Sequence, residues 1–203
     1  MERSTEESLV DDVVTGQKSV VPRPDTKARI IRAAEQVVVR DGVARLTLDA
    51  AAAEAGLSKG GVLYHFPTRD ALVAGMVTKI IDEFDRDIEA NLEGDDGPGA
   101  FTRAYIRATL DSDQPRPDHE DRLGAALIAA AAAQPSLMVP LQSAAERWQA
   151  RLVDDGLDPT TATVLRLACD GLWLCDLFGL APPAPALRAA VAAHLDQLAR
   201  VTP

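Results

Sequence analysis

The chain has 203 residues, enough to bury a sizeable core in one or two domains, and 47% of them are apolar. No run of about 18 apolar residues occurs, which excludes a membrane-spanning helix; the alanine-dominated stretch 127–133 is too short. The net charge of −10 argues against a nucleic-acid partner until the chain is divided: residues 26–70 hold seven Lys/Arg against five acids, residues 1–25 carry three against six, and residues 71–203 carry eleven against twenty.

Residues 1–25 lack periodicity, carry acids without a hydrophobic centre, and include Pro22 and Pro24. They read as a disordered arm and not as a secretory signal. Lys18 and Arg23 would serve if the arm entered a minor groove; a passive acidic tail is the simpler reading. From Thr26 a helical period begins, with Ile30, Ile31, Ala34, Val37 and Val38 at three- and four-residue steps, ended by Asp41-Gly42. Thr47 precedes Leu48, Ala51, Ala52 and Ala55 as an N-cap would, and Gly56 closes that second helix. Ser58 caps a third, with Leu57 and Val62 at hydrophobic-staple spacing. Pro67 ends it near Phe66.

Two short helices joined by a tight turn, the second basic at its start, are how a helix-turn-helix presents a reading helix to the major groove. Lys59 lies in the first turn of that helix, where it can donate to guanine O6 and N7, contact a phosphate, or remain a solvated surface lysine. Gly60 and Gly61 permit close approach to DNA, or mark a short helix that packing tolerates. Lacking side chains there, the protein would read sequence through Lys59, Tyr64 and DNA shape. The hydroxyl and amide of Thr47 can cap a helix and also meet a phosphate. Val62, Leu63 and Phe66 are expected in the core, and His65 either contacts DNA or is a buried, hydrogen-bonded histidine.

The segment Leu57-Ser58-Lys59-Gly60-Gly61-Val62-Leu63-Tyr64-His65-Phe66-Pro67, with the helices around it, resembles the N-terminal domain of the TetR family of bacterial repressors over about residues 26–72. The remainder is similar to that family in architecture. The resemblance implies an all-α protein, an N-terminal three-helix helix-turn-helix domain (26–70) followed by a six-helix ligand-binding and dimerisation domain (71–203). It implies DNA contacts by Thr47, Ser58, Lys59, Gly60, Gly61, Tyr64, His65 and Arg69. In the family a tyrosine often stands three residues before the phenylalanine; here that place is Leu63, while the histidine position matches His65. Arg69 stands where a lysine is usual and is expected to contact the phosphate backbone.

Thr68 caps a fourth helix running to about Leu92, with Leu72, Met76, Ile80, Phe84 and Ile88 as its apolar stripe and an acidic outer face. Helical patterns follow at about 99–112, 119–134, 136–155, 159–179 and 185–200, with Pro140 requiring the seventh to start late or kink. No period-two strand pattern appears. Phe101, Tyr105, Trp148 and Trp173 are core residues by default. An alanine-rich domain holding two tryptophans also leaves room for a pocket, which they would line with Met76, Ile80 and Phe84; Asp176, one turn past Trp173 and odd for a core, would orient a ligand there or salt-bridge across a dimer. The weak basic charge on offer favours an effector that is apolar and neutral or cationic. Asp170-Gly171-Leu172-Trp173 resembles a segment of the family's penultimate helix, which assigns the last two helices to a homodimer through Gly171, Leu174, Leu177, Phe178, Leu187, Val191, Leu195 and Leu198.

Cys169 and Cys175, six apart on one helix, face different directions and suit a reduced, cytoplasmic protein. His119 sits among acids, which a solvated helix start explains better than a metal. With no Ser-His-Asp order, phosphate loop or metal spacing, no cofactor or catalytic residue is expected. The resulting expectation is a homodimeric repressor released from a pseudo-palindromic double-stranded operator by a small molecule. A small helical enzyme, an activator and a partner-regulated DNA-binding protein are the alternatives.

Overall fold

A computed structural model describes residues 25–110 and 118–200. Of the arm expected over residues 1–25 only Asp25 is described, and it caps the first helix, its side chain accepting from the Lys27 amide; the end of the fifth helix at 111–112 lies outside the described residues. Among these residues the fold is all α, as expected: α1 (Thr26–Asp41), α2 (Leu48–Ala55), α3 (Lys59–His65), α4 (Arg69–Leu92), α5 (Ala100–Leu110), α6 (Asp118–Ala133), α7 (Val139–Val153), α8 (Pro159–Phe178) and α9 (Pro185–Leu198). No described helix is long and apolar enough to cross a membrane. Two 3-10 turns, Val43–Arg45 and Pro135–Met138, were not anticipated. The second takes up the chain before Pro140, so α7 begins with its proline in the first turn, where the missing N–H costs nothing.

Local chemistry sets the helix ends. Thr47, Ser58 and Thr68 accept hydrogen bonds from the amides of Ala50, Gly61 and Ala71 at 3.0, 3.1 and 3.0 Å, satisfying otherwise orphaned donors. Gly56 ends α2 in the left-handed conformation, φ 62°, which a β-carbon would disfavour. Arg29 reaches across from α1 and donates to the carbonyls of Ala55 and Gly56, capping α2 from outside. The start of α5 is capped from a distance: Asp155 accepts from the amides of Phe101 and Thr102 at 3.0 and 2.7 Å.

Two apolar cores result. The first joins Ile30, Val37, Leu46, Val62, Phe66, Leu72 and Met76 to Leu123, Leu127 and Ala131 of α6. The second holds Ile81, Ile88, Phe101, Tyr105, Trp148, Leu152, Leu165 and Leu195. Both use α4: Leu72, Val73 and Met76 enter the first core, Ile81 and Ile88 the second. At 24 residues this helix is a rod of about 36 Å. Its outer acids pair with α7, Asp85 with Arg147 at 2.9 Å and Glu89 with Arg151 at 2.6 Å. The Lys79–Glu35 pair, 2.8 Å, ties it to α1; burial opposes the Lys79 charge, but the Glu35 and Glu83 carboxylates outweigh it and raise its pKa.

Arg103 locks the end of α9 to the loop before α5. It donates to the carbonyls of Pro98 and Ala199 at 2.8 Å each and to both Asp95 oxygens. The Arg103 guanidinium holds the Asp95 carboxyl below the usual carboxylate range.

Candidate nucleic-acid interface and ligand cavity

Helix α3 has seven residues, and Val62 and Phe66, four apart, bury its inner side. Leu63 does not join them. At 40% exposure it points outward, because a helix this short turns only one narrow face to the core. Outward too are Lys59, Gly60 and Tyr64, the last 87% exposed, while His65 is half-buried against the Tyr64 ring, centroids 5.1 Å apart. No heavy atom outside the helix backbone approaches a β-carbon position on Gly60 or Gly61 except Ser58 Oγ. At Gly60 and Gly61 the helix therefore offers nearly bare backbone, flanked by the outward side chains of Lys59, Leu63 and Tyr64.

Lys59 is engaged. Its Nζ lies 2.8 Å from Oδ2 of Asp49, in the first turn of α2, and both side chains are more than half exposed. The signal for Asp49 in the sequence is an acid at the start of one helix followed by a lysine at the start of the next. Arg69 is engaged as well: Nε donates to the Leu46 carbonyl at 3.0 Å and Nη2 to that of Val43 at 2.8 Å. It holds the α1–α2 connection against the start of α4, with part of its guanidinium left toward solvent.

The residues expected around a ligand separate into groups. Met76 is fully buried in the first core. Phe84, Tyr105 and Trp148 meet edge-on, centroids 5.0–6.1 Å apart, in the second core. There the Trp148 indole donates to Asp85 Oδ1 at 2.6 Å and the Tyr105 hydroxyl to Asp170 Oδ1 at 2.7 Å. Burial, then the Asp170 charge, raises the Tyr105 pKa. Phe101 lies under the Arg151 guanidinium, 4.0 Å from ring centroid. Asp176 pairs with Arg188 of α9 at 3.0 Å. Of that set, Ile80 and Trp173 line an apolar cavity among the described residues. It lies among α4, α6, α7 and α8, its other walls including Val77, Leu127, Ile128 and Met138, and its volume is about 60 Å³. No charged residue lines it. The 127–133 run and Met138 signalled those walls in the sequence.

The expected interface residues also divide. Leu177 and Leu195 are buried in the chain's own core, because α6 covers the first and α5 faces the second. Leu174, Phe178, Leu187 and Leu198 are exposed, Val191 is half-buried, and space around Gly171 is open. Exposed Val164 and Leu167, not anticipated, extend this face to a 3-4-3-4 spacing: 164, 167, 171, 174, 178.

A capped helix-turn-helix with an outward second helix, on a helical body with a small apolar cavity, is the architecture of a DNA-binding transcriptional regulator. Residues 30–76 match the family described as bacterial regulatory proteins, tetR family, and residues 99–200 match the tetracyclin repressor-like C-terminal domain. The chain belongs to the TetR family. It is 40% identical over 74 residues to an uncharacterized HTH-type transcriptional regulator of Mycobacterium tuberculosis (strain ATCC 25618 / H37Rv), a match covering 36% of this chain and only 38% of that relative. It is similar to the solved multidrug binding protein EbrR complexed with malachite green, with a TM-score of 0.65 and 29% identity over 88% of this chain and 100% of that one. A TetR-family member from Streptomyces coelicolor A3 gives 0.65 and 28%, over 85% and 98%.

Proposed function

We propose that the protein is a homodimeric repressor which a small apolar effector, neutral or cationic, releases from a pseudo-palindromic operator. The observation that carries this reading is the position of the cavity. Val77, Ile80 and Ile81 line it from the same helix whose first turns pack against the reading head. At about 60 Å³ it is far smaller than the 300 Å³ or more of a typical ligand site. An effector must therefore part α4 from α6 and α8, and its preference for the opened state is what drives release. The uncharged lining favours an apolar ligand, and EbrR, solved with malachite green and with ethidium, supports the aromatic cation class.

The exposed face of α8, flanked by Leu187 and Leu198 of α9, supports dimerisation. Its 3-4 spacing suits a helix seam, and Gly171 leaves room for a partner helix. Two reading helices would then fall about one DNA turn apart. The test uses a duplex selected by the protein from a randomised pool. Malachite green should release it from the wild type, while Ile80→Trp, filling the cavity, should bind the duplex and resist release. Equal release from both proteins would place the effector elsewhere, and failure of the dye to release either would remove the aromatic-cation reading.

A further inference from the structure

Of α3's seven residues only Lys59 carries a permanent charge, and its ammonium is held 2.8 Å from the Asp49 carboxylate. The two arrive from different helices, each in its first turn, with the caps Thr47 and Ser58 satisfied separately. Asp49 is not needed to complete either helix start, and at 65% side-chain exposure it fills no core. On α3 the next two residues are glycines, and the exposed Leu63 one turn on carries no polar group, so Asp49 is the partner the fold gives the Lys59 ammonium.

We propose that Asp49 is a positioning residue that makes Lys59 a reader of bases instead of a generic phosphate contact. The proposal rests on the reading that α3 enters the major groove. An ammonium has three N–H donors. Asp49 takes one, leaving two for the O6 and N7 acceptors of a guanine edge. The ion pair also restricts a side chain with four rotors before DNA arrives, so less freedom is lost on forming a directed contact. A phosphate meets the opposite situation. It would bring a negative charge next to the carboxylate, or require Lys59 to leave Asp49. The same pair thus favours a base-edge contact and penalises a backbone one, in a head whose excess of cations over acids is only two.

The test compares wild type, Asp49→Asn, Lys59→Met and the double variant on two probes: a duplex selected by the wild type from a randomised pool, and a mixed-sequence duplex of equal length. Asp49→Asn should bind the selected duplex about three-fold more weakly and the mixed one about three-fold more tightly, with a steeper salt dependence on the latter by about 0.9 per protomer. In the Lys59→Met background the Asp49→Asn effect should vanish. Reselection with Asp49→Asn should relax preference at one position per half-site, the same position relaxed by Lys59→Met. A merely structural Asp49 would lower the melting temperature and weaken both duplexes alike, and that result overturns the proposal. An Asp49→Asn effect that survives without Lys59 overturns it too, as does no effect at all. Should Lys59→Met itself leave both affinities unchanged, the groove reading falls with it.

Discussion

Phe66 and Gly75 meet where α3 ends against α4: a β-carbon built on Gly75 would stand 2.7 Å from Cε1 of the Phe66 ring. Phe66 is 2% exposed and anchors the reading helix in the first core. Gly75→Ala gains up to about 1 kcal/mol in helix propensity, but overpacking a filled core costs about 1–3 kcal/mol. The variant should melt lower and bind DNA more weakly, with Phe66→Leu restoring part of both. An unchanged melting temperature would show that the ring yields freely.

Arg69 spans two carbonyls of the α1–α2 connection. Arg69→Ala should cost about 1–2 kcal/mol, since charged donors are lost from part-buried acceptors while solvent replaces some of the bonding. Denaturant melts measure this. The salt slope of DNA binding should stay near the wild-type value. A fall of about 0.9 per protomer would instead make Arg69 a phosphate contact.

Leu174→Glu and Leu195→Glu should differ in kind. The first places a charge on the exposed face of α8 and should give a folded monomer by sedimentation and circular dichroism. In the second the charge enters the chain's own core, where an unpaired carboxylate is costly, and the protein should unfold. A folded Leu174→Glu dimer would move the interface off this face.

Asp95 should contribute to acid stability. Its folded pKa is depressed, first by the Arg103 hydrogen bond. The stabilisation is therefore full above the unfolded value, about 4, and disappears as pH falls through the lower folded value. Asp95→Asn should be less stable at pH 6, with the difference narrowing below pH 4. A difference that widens in acid would contradict the assignment.

The thiols should react unequally. Cys169 is fully buried, and burial followed by the Asp170 charge pushes it up to about 12. Cys175 is half-buried. Native protein at pH 8 should release one equivalent from a thiol reagent and two after denaturation, with Cys175→Ser releasing none in the native state. Two equivalents in the native state would mean that α8 opens readily.

Helix starts were legible because their signals are local: a threonine or serine before an apolar repeat, a glycine after it. The late start of α7 followed from Pro140 alone. What the sequence concealed is set by tertiary packing. Periodicity marks Met76, Phe84 and Ile80 as one stripe, yet α4 turns Met76 into the first core, Phe84 toward Tyr105 and Trp148, and Ile80 to the cavity. Leu174 and Leu177 look alike in the chain; α6 covers one and leaves the other bare. Asp49 and Lys59 become a pair only when a tight turn brings two helix starts together.

The first core draws Leu123, Leu127 and Ala131 from α6, fifty residues beyond the reading head. This bears on building hybrid regulators. A head grafted onto another body at the boundary after residue 70 would lose a wall of its own interior, and the new body would present a foreign one. Exchange should succeed only when the α6 side chains travel with the head, so the head and the helical body behind it are not freely interchangeable parts in this chain.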